Sequence, residues 1–182
     1  VSESAVEMTS GLQFFDGINT KDIQEILIRS ANDLITLENP NYQFVAARLL
    51  LFGLRKSVYG EHPDDRPALR KHVEKCVEKG VYDKEILDKY SEEEWEILNS
   101  YIDHDRDYLF TYAGMRQVCD KYLVQDRSTG EIYETPQYMY ILISATLFQD
   151  DDKFYRLEYI KKYYDAISKH RINIPTPIMA GV

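Results

Sequence analysis

The chain has 182 residues, of which 44% are hydrophobic and 29% are charged. This apolar content excludes a disordered chain and suits one compact domain or two small domains that share a core. The 31 acidic residues outnumber the 22 basic ones, which gives a net charge of −9 and argues against nucleic acid as a partner, because phosphate contacts require clustered Lys and Arg.

Cysteine usage and apolar runs predict a cytoplasmic protein without a metal site. Cys76 and Cys119 have no second Cys or nearby His at metal-ligand spacing, so neither a disulfide framework nor a zinc site is expected. The longest apolar run, Tyr138–Phe148, is shorter than the roughly 20 residues of a membrane span, and no signal segment opens the chain. We therefore expect a soluble protein without a membrane partner.

Capping signals predict two helices before residue 40. Ser4 and Glu7 form a capping-box pattern, and the helix that begins there should end at about Phe15. Thr20 precedes apolar residues at helical spacing and is the predicted N-cap of a second, amphipathic helix. The Asn39-Pro40-Asn41 breaker should end this second helix.

A third helix is predicted over Tyr42–Tyr59, with Gly60 at its C-terminal end. Pro63 and Pro67 mark a linker. Pro67 also suits the first turn of the next helix, which Gly80 should close.

The next part of the chain combines helices with one hairpin. Ser91 and Glu94 form a second capping box, and a later helix is predicted from about Asp107 to Asp120. The segments Tyr122–Val124 and Glu131–Glu134 flank a turn that ends in glycine, which is typical of a β-hairpin.

Two helices and an extended terminal segment complete the prediction. Thr135 is an N-cap candidate ahead of a proline and should open a helix that ends at about Gln149. Another helix is predicted over Lys153–His170. Residues Arg171–Val182 are apolar and carry two prolines, and we predict a β-strand there.

Thr20 and Lys56 are the first candidate binding residues. A helix N-terminus with a hydroxyl group can bind an anion, and a lysine from a neighbouring helix could neutralise a phosphate. The alternative is that Thr20 only caps its helix while Lys56 is solvated, and spacing alone favours this alternative.

Two other features have both a functional and a structural interpretation. The segment Asp103–Asp107 could hold a metal or act in acid-base chemistry, but helix-dipole compensation and local ion pairs are favoured. Thr176 stands between Pro175 and Pro177, which orient its hydroxyl toward either a ligand or a buried backbone group. Both alternatives for Thr176 stay open.

A set of motifs follows in one order along the chain: Phe14-Phe15-Asp16-Gly17-Ile18, Pro40–Arg48, Leu54-Arg55-Lys56 with Tyr59-Gly60, Ile102–Asp107, Lys121–Val124, Thr129–Glu134 and Pro175–Met179. Together these motifs resemble the large subunit of class I ribonucleoside-diphosphate reductase, of the enterobacterial and T4-like phage type. The resemblance extends over essentially the whole chain.

The resemblance implies a mainly α fold in three parts. Residues 1–60 are expected to form the helices of an ATP-cone without its N-terminal hairpin, and residues 61–170 a helical domain with one small β-hairpin. Residues 171–182 are expected to begin an α/β barrel at its first strand. The catalytic residues of the family are not in this sequence, so this chain is not expected to reduce a ribonucleotide alone.

The resemblance also implies binding residues. Thr20 and Lys56 match the family's overall-activity site, where ATP activates and dATP inhibits, and Gln24 stands where some relatives carry a histidine. Thr176 matches the threonine that contacts the ribonucleoside diphosphate substrate.

The implied function is reduction of ribonucleoside diphosphates for DNA synthesis under ATP and dATP control. The implied partners are a small subunit that carries a di-metal radical site, a second large subunit, and the remainder of the large subunit. An alternative is a free-standing helical nucleotide- or protein-binding module, such as a split-gene product, with no catalysis of its own. Such a module would be expected to cover the apolar residues Ile174–Val182, which a fragment leaves bare.

Overall fold

The structure, a computed structural model, describes residues 1–60 and 65–180, and its regular elements are mostly helical. The helices are α1 (Glu3–Gly11), α2 (Thr20–Asp33), α3 (Tyr42–Tyr59), α4 (Leu69–Glu78), α5 (Glu85–Lys89), α6 (Glu92–Tyr101), a 3₁₀ helix (His104–Leu109), α7 (Tyr112–Lys121), α8 (Pro136–Leu147), α9 (Arg156–Ser168) and α10 (Thr176–Ala180). The predicted mainly α fold is confirmed. In the described ranges, no helix combines the length and the apolar character needed to cross a membrane.

Helices α1, α2 and α3 pack together around a small apolar cluster. Val6, Ala31, Tyr42 and Ala46 form its buried centre. The Tyr42 hydroxyl also accepts a hydrogen bond from the backbone N–H of Ser2 at 3.0 Å, which attaches the start of α1 to α3. These contacts bury the apolar faces of three short helices that would be marginal alone.

Helix α3 also belongs to the main core. Its predicted apolar positions Ala47, Leu51, Leu54 and Val58 are all buried there, and Gly60 follows the helix with φ 108°. The prediction for this helix is therefore confirmed. The main core and the small cluster share α3 as a common wall.

Helix α8 forms the centre of the main core. Every residue from Pro136 to Ala145 is buried, so this helix has no polar face in solvent. A helix that is buried on all sides requires neighbours around its whole circumference. The Tyr90 hydroxyl donates to the Ala145 carbonyl oxygen at 2.7 Å, and α9 packs along another side of α8.

A buried polar network connects α3, the 3₁₀ helix and α8. The Arg55 guanidinium lies 3.2 Å from an Asp107 carboxylate oxygen, and the other Asp107 oxygen accepts from the Gln137 amide at 2.9 Å. Arg55 also donates to the His104 carbonyl oxygen at 2.8 Å. Burial raises the pKa of Asp107 to about 6, although Gln137 and Arg55 oppose the rise, so the ion pair is intact at neutral pH.

The second capping box is confirmed and has a further use. Ser91 and Glu94 exchange hydrogen bonds at the start of α6. The Glu94 carboxylate also accepts from the nearly buried Arg156 guanidinium, with an Nε–Oε1 distance of 2.9 Å. The cap therefore attaches α9 to α6.

The first two helices begin and end at other residues than the sequence predicts. Helix α1 has Ser2 at its N-cap and ends at Gly11, so Ser4 lies inside the helix and the predicted capping box does not form. Asn19, not Thr20, caps α2, because its side-chain oxygen accepts from the Lys21 N–H at 2.9 Å. Thr20 is the first helical residue.

Helix α2 ends at Asp33, well before the predicted breaker at Pro40. The Ile35 N–H donates to the Asn32 carbonyl oxygen at 3.0 Å. A hydrogen bond between residues three apart is typical of a tight turn. Asn and Asp are weak helix formers because their side chains compete for backbone hydrogen bonds. Pro40 therefore indicates only the last position at which this helix could end.

Two further predictions in the middle of the chain are corrected. Pro67 precedes the Ala68 N-cap of α4 and is not in the first turn, while Pro63 lies outside the described residues. Helix α7 begins at Tyr112, not at about Asp107, because Asp107 is held in the 3₁₀ helix by Arg55 and Thr111 provides the cap.

The predicted β-hairpin is confirmed, although it is short and its first strand follows the predicted segment Tyr122–Val124 and does not coincide with it. Strands β1 (Gln125–Asp126) and β2 (Glu131–Ile132) are antiparallel, with Gln125 opposite Ile132. Gly130 has φ 75°, as a turn of this kind requires.

The predicted terminal strand is wrong. Residues Thr176–Ala180 form the short helix α10, in which the Pro175 carbonyl accepts from the N–H groups of Ile178 at 3.0 Å and Met179 at 3.2 Å. Pro177 lies in the first turn, where the missing N–H costs no helical hydrogen bond. The two prolines are thus compatible with a helix start.

The buried ion pair predicts a large loss of stability when one charge is removed. Replacing Arg55→Met leaves the Asp107 carboxylate buried without a counter-charge, and we expect the free energy of unfolding to fall by about 3 kcal/mol. Urea denaturation measures this quantity. Glu158→Gln is the control, since it removes an exposed ion pair with Lys162 and should change stability little. Equal losses in the two variants would contradict the prediction.

Candidate functional site

The α2–α3 pair brings the predicted nucleotide residues to one end of two antiparallel helices. The Gln24 amide, one turn into α2, donates to the Leu49 carbonyl oxygen of α3 at 2.6 Å. A Cβ added at Gly53 would lie 3.3 Å from the Gln24 side chain, so the two helices are in close contact here. Thr20 at the start of α2 and Lys56 in the last turn of α3 consequently lie at the same end.

Thr20 and Lys56 are both exposed. Because Asn19 caps α2, the Thr20 hydroxyl is not needed for capping, and within the described ranges it has no hydrogen-bond partner. Lys56 likewise forms no ion pair with any described residue. The structural explanation for Thr20 is therefore removed, while solvation of Lys56 is consistent with the structure.

Gln24 has a structural role of its own. One N–H of its amide donates to the Leu49 carbonyl oxygen, and its own carbonyl oxygen remains available as an acceptor. The positive end of the α2 dipole and the nearby Lys21 and Lys56 make this end of the helix pair suitable for an anion.

The Asp103–Asp107 segment has the structural role that sequence reasoning favoured. Asp103 caps the 3₁₀ helix, Arg106 pairs with Asp165 at 2.7 Å, and Asp107 pairs with Arg55. Among the residues with described positions, no three His, Cys, Asp or Glu side chains form a metal-binding group. Burial lowers the pKa of His104 to about 3, so this imidazole is neutral.

Neither cysteine is a nucleophile. Burial raises the pKa of the Cys76 thiol to about 11 and that of the Cys119 thiol to about 12. Both thiols are therefore protonated at neutral pH, and only the thiolate reacts readily.

Thr176 lies on the surface, at the first position of α10. Its Oγ1 atom is 3.3 Å from the Tyr122 hydroxyl oxygen, and the contact is exposed. Of the two sequence-based alternatives, a bond to a buried backbone group is not observed. The structure does not bring Thr176 together with Thr20, Gln24 or Lys56 in one site.

Sequence reasoning missed a buried carboxyl group beside a cavity of about 510 Å³. Glu134 lines this cavity, accepts from the Val124 N–H at 2.8 Å and accepts from the Tyr82 hydroxyl. Burial raises the pKa of Glu134 to about 7, and the two hydrogen bonds only partly oppose the rise. No pattern in the sequence marks Glu134, because a glutamate beside a hairpin is ordinarily exposed.

The structure thus attaches the hairpin to its surroundings through Glu134. The Tyr82 hydroxyl belongs to the segment between α4 and α5, whereas Val124 lies immediately before β1. One carboxyl group therefore fixes two segments, and Tyr122, which contacts Thr176, is only two residues from Val124.

Comparison with known proteins gives one consistent result. Residues 108–182 match the family model described as the ribonucleotide reductase all-alpha domain. The whole chain is 52% identical to the ribonucleoside-diphosphate reductase 1 subunit alpha of Escherichia coli K12 and 51% identical to the subunit alpha of Haemophilus influenzae Rd. The subunit alpha of Enterobacteria phage T4 is 48% identical over 91% of this chain. The chain spans 24% of the first two relatives and 22% of the third.

The pKa of Glu134 predicts that stability falls as the pH rises. The folded state holds the proton up to a pKa of about 7, whereas the unfolded carboxyl releases it near the ordinary value of 4.5. The free energy of unfolding should therefore fall by up to about 3 kcal/mol between pH 4.5 and 7 on account of this group.

Glu134→Gln tests this prediction, because the amide is neutral at every pH and can still accept a hydrogen bond. Denaturation at a series of pH values should show a flatter profile for this variant than for the unaltered chain. Asp107 titrates in both proteins and serves as the internal reference. Identical profiles would contradict the prediction.

Proposed function

We propose that this chain forms the N-terminal regulatory and helical region of a ribonucleotide reductase alpha subunit, and it spans about a quarter of the alpha subunits that it matches. The complete subunit would reduce ribonucleoside diphosphates to deoxyribonucleoside diphosphates for DNA synthesis in the cytoplasm. The observation that carries this proposal is the 52% identity along all 182 residues.

The geometry of the α2–α3 pair supports nucleotide control by ATP and dATP. Thr20 and Lys56 lie exposed at one end of the pair, and Gln24, one turn into α2, contacts α3. A hydroxyl, an ammonium group and a helix N-terminus are groups that bind a phosphorylated ligand. We assign these three residues to the effector site.

Substrate contact and assembly complete the proposal. Thr176 would contact the ribonucleoside diphosphate with its exposed hydroxyl. The remainder of the alpha subunit would supply the catalytic groups. A second alpha subunit and a small subunit with a di-metal radical site would complete the enzyme.

Variants of the effector residues test nucleotide control. In the complete alpha subunit that carries this sequence, assembled with its small subunit, we expect Lys56→Ala to raise the dATP concentration for half-inhibition about tenfold. A lost charge-assisted hydrogen bond has an effect of this size. Thr20→Val should give a smaller shift in the same direction.

Lys71→Ala is the matched control for these variants. Lys71 is an exposed lysine on α4 and, within the described ranges, has no ion pair. Its replacement should leave dATP inhibition unchanged. Unchanged inhibition in the Lys56 and Thr20 variants would contradict the assignment of the effector site.

The intact mass of the native gene product distinguishes a complete reductase subunit from a free-standing module. The chain has a mass of 21.4 kDa, and its relatives are about four times longer. We expect antibody capture from source cells, followed by mass spectrometry, to give a mass several times 21.4 kDa. A mass close to that of this chain would contradict the proposal and favour a binding module.

A further inference from the structure

The main-chain conformation at Thr176 is restricted, but this restriction does not select the rotamer of the threonine side chain. The Pro175 carbonyl accepts two N–H groups of α10, and prolines on both sides of Thr176 restrict the main chain. The threonine side chain can still adopt more than one staggered rotamer, and each rotamer directs the hydroxyl elsewhere. The Tyr122 hydroxyl, 3.3 Å from Oγ1, selects among these rotamers.

Tyr122 is itself firmly held. Its N–H donates to the Val118 carbonyl at 3.0 Å at the end of α7. The next residue, Leu123, is 2% exposed, and the Val124 N–H is bound by Glu134. The Tyr122 ring packs against the main core while its hydroxyl reaches the surface. A side chain supported in this way can hold a binding group in one orientation.

We propose that Tyr122 is a positioning residue for substrate binding, whose hydroxyl orients the Thr176 hydroxyl toward a ribonucleoside diphosphate. The proposal rests on the substrate role that is proposed above for Thr176. When Tyr122 donates to Thr176, the threonine proton remains for an acceptor, and diphosphate oxygens are strong acceptors. The preformed orientation reduces the cost of ordering Thr176 when the substrate binds.

The Tyr122 hydroxyl takes part in hydrogen bonds with Thr176 and Gln117, which lower its pKa. The fold itself does not require the contact, because it is exposed and joins two hydroxyl groups that water could also satisfy. Loss of the hydroxyl alone should therefore affect the ligand more than the fold.

Steady-state kinetics of the complete alpha subunit with its small subunit test the proposal. We expect Tyr122→Phe to raise the KM for a ribonucleoside diphosphate about fivefold, as one lost hydrogen bond would, with kcat within about twofold. The melting temperature should stay unchanged because the ring remains. Thr176→Val should raise KM further, and the double variant should equal Thr176→Val alone, since Tyr122 acts through Thr176.

Tyr133→Phe is the matched control. Tyr133 immediately follows strand β2, and its hydroxyl donates to Glu131 at 3.2 Å and not to Thr176. This replacement should leave KM unchanged.

The outcomes separate failure of this inference from failure of the proposed function. If Thr176→Val raises KM but Tyr122→Phe does not, the positioning role is overturned while the substrate role stands. If neither variant changes KM, the substrate role of Thr176 fails, and the positioning role fails with it. Additive effects in the double variant, or a lower melting temperature for Tyr122→Phe, would also overturn the positioning role.

Discussion

The buried ion pair between Arg55 and Asp107 is the interaction on which the arrangement of the chain depends. An isolated charge in a protein interior costs several kcal/mol. Helix α3, which carries Arg55, and the 3₁₀ helix, which carries Asp107, must therefore pack together so that each buried charge has its partner. Gln137 of α8 bonds the same carboxylate and accepts from the Tyr164 hydroxyl of α9 at 2.6 Å. Four elements distant in sequence therefore have one set of relative positions. Helix α3 takes part in both apolar clusters. The predicted domain boundary near residue 60 remains a prediction.

A second series of hydrogen bonds continues from the end of α3 to the surface at Thr176. The Tyr59 hydroxyl lies 2.7 Å from the hydroxyl of Thr135, which precedes α8. Glu134, the residue before Thr135, accepts a hydrogen bond from the Val124 N–H. Tyr122, two residues before Val124, contacts Thr176. Each member is held by a neighbour that is itself packed against the core. A surface hydroxyl supported by a rigid core can be placed accurately.

Sequence patterns predicted those elements whose signals are local. The 3.6-residue spacing of α3, the Ser91–Glu94 capping box and the glycine of the hairpin turn were all confirmed, because each depends on residues within one or two turns. Two of the errors occurred where a distant partner decides. Asp107 was predicted to begin a helix, but Arg55, 52 residues earlier, holds it in the 3₁₀ helix. Glu134 gave no signal because its burial depends on the segment that contains Tyr82. The family resemblance, which rests on many ordered motifs, was confirmed by the comparisons.

Candidate site residues could be named from the resemblance, but whether their hydroxyl groups are free of backbone hydrogen bonds could not be judged from the sequence. Thr20 was predicted to cap its helix, and a capping hydroxyl is already occupied; the structure gives that role to Asn19. Thr176 could have bonded a buried backbone group, yet its partner is the exposed hydroxyl of Tyr122. In both cases a threonine hydroxyl turns out not to serve the backbone. A polar group that the fold does not need for its own hydrogen bonds remains available to a ligand, and the ligand roles of both residues remain predictions.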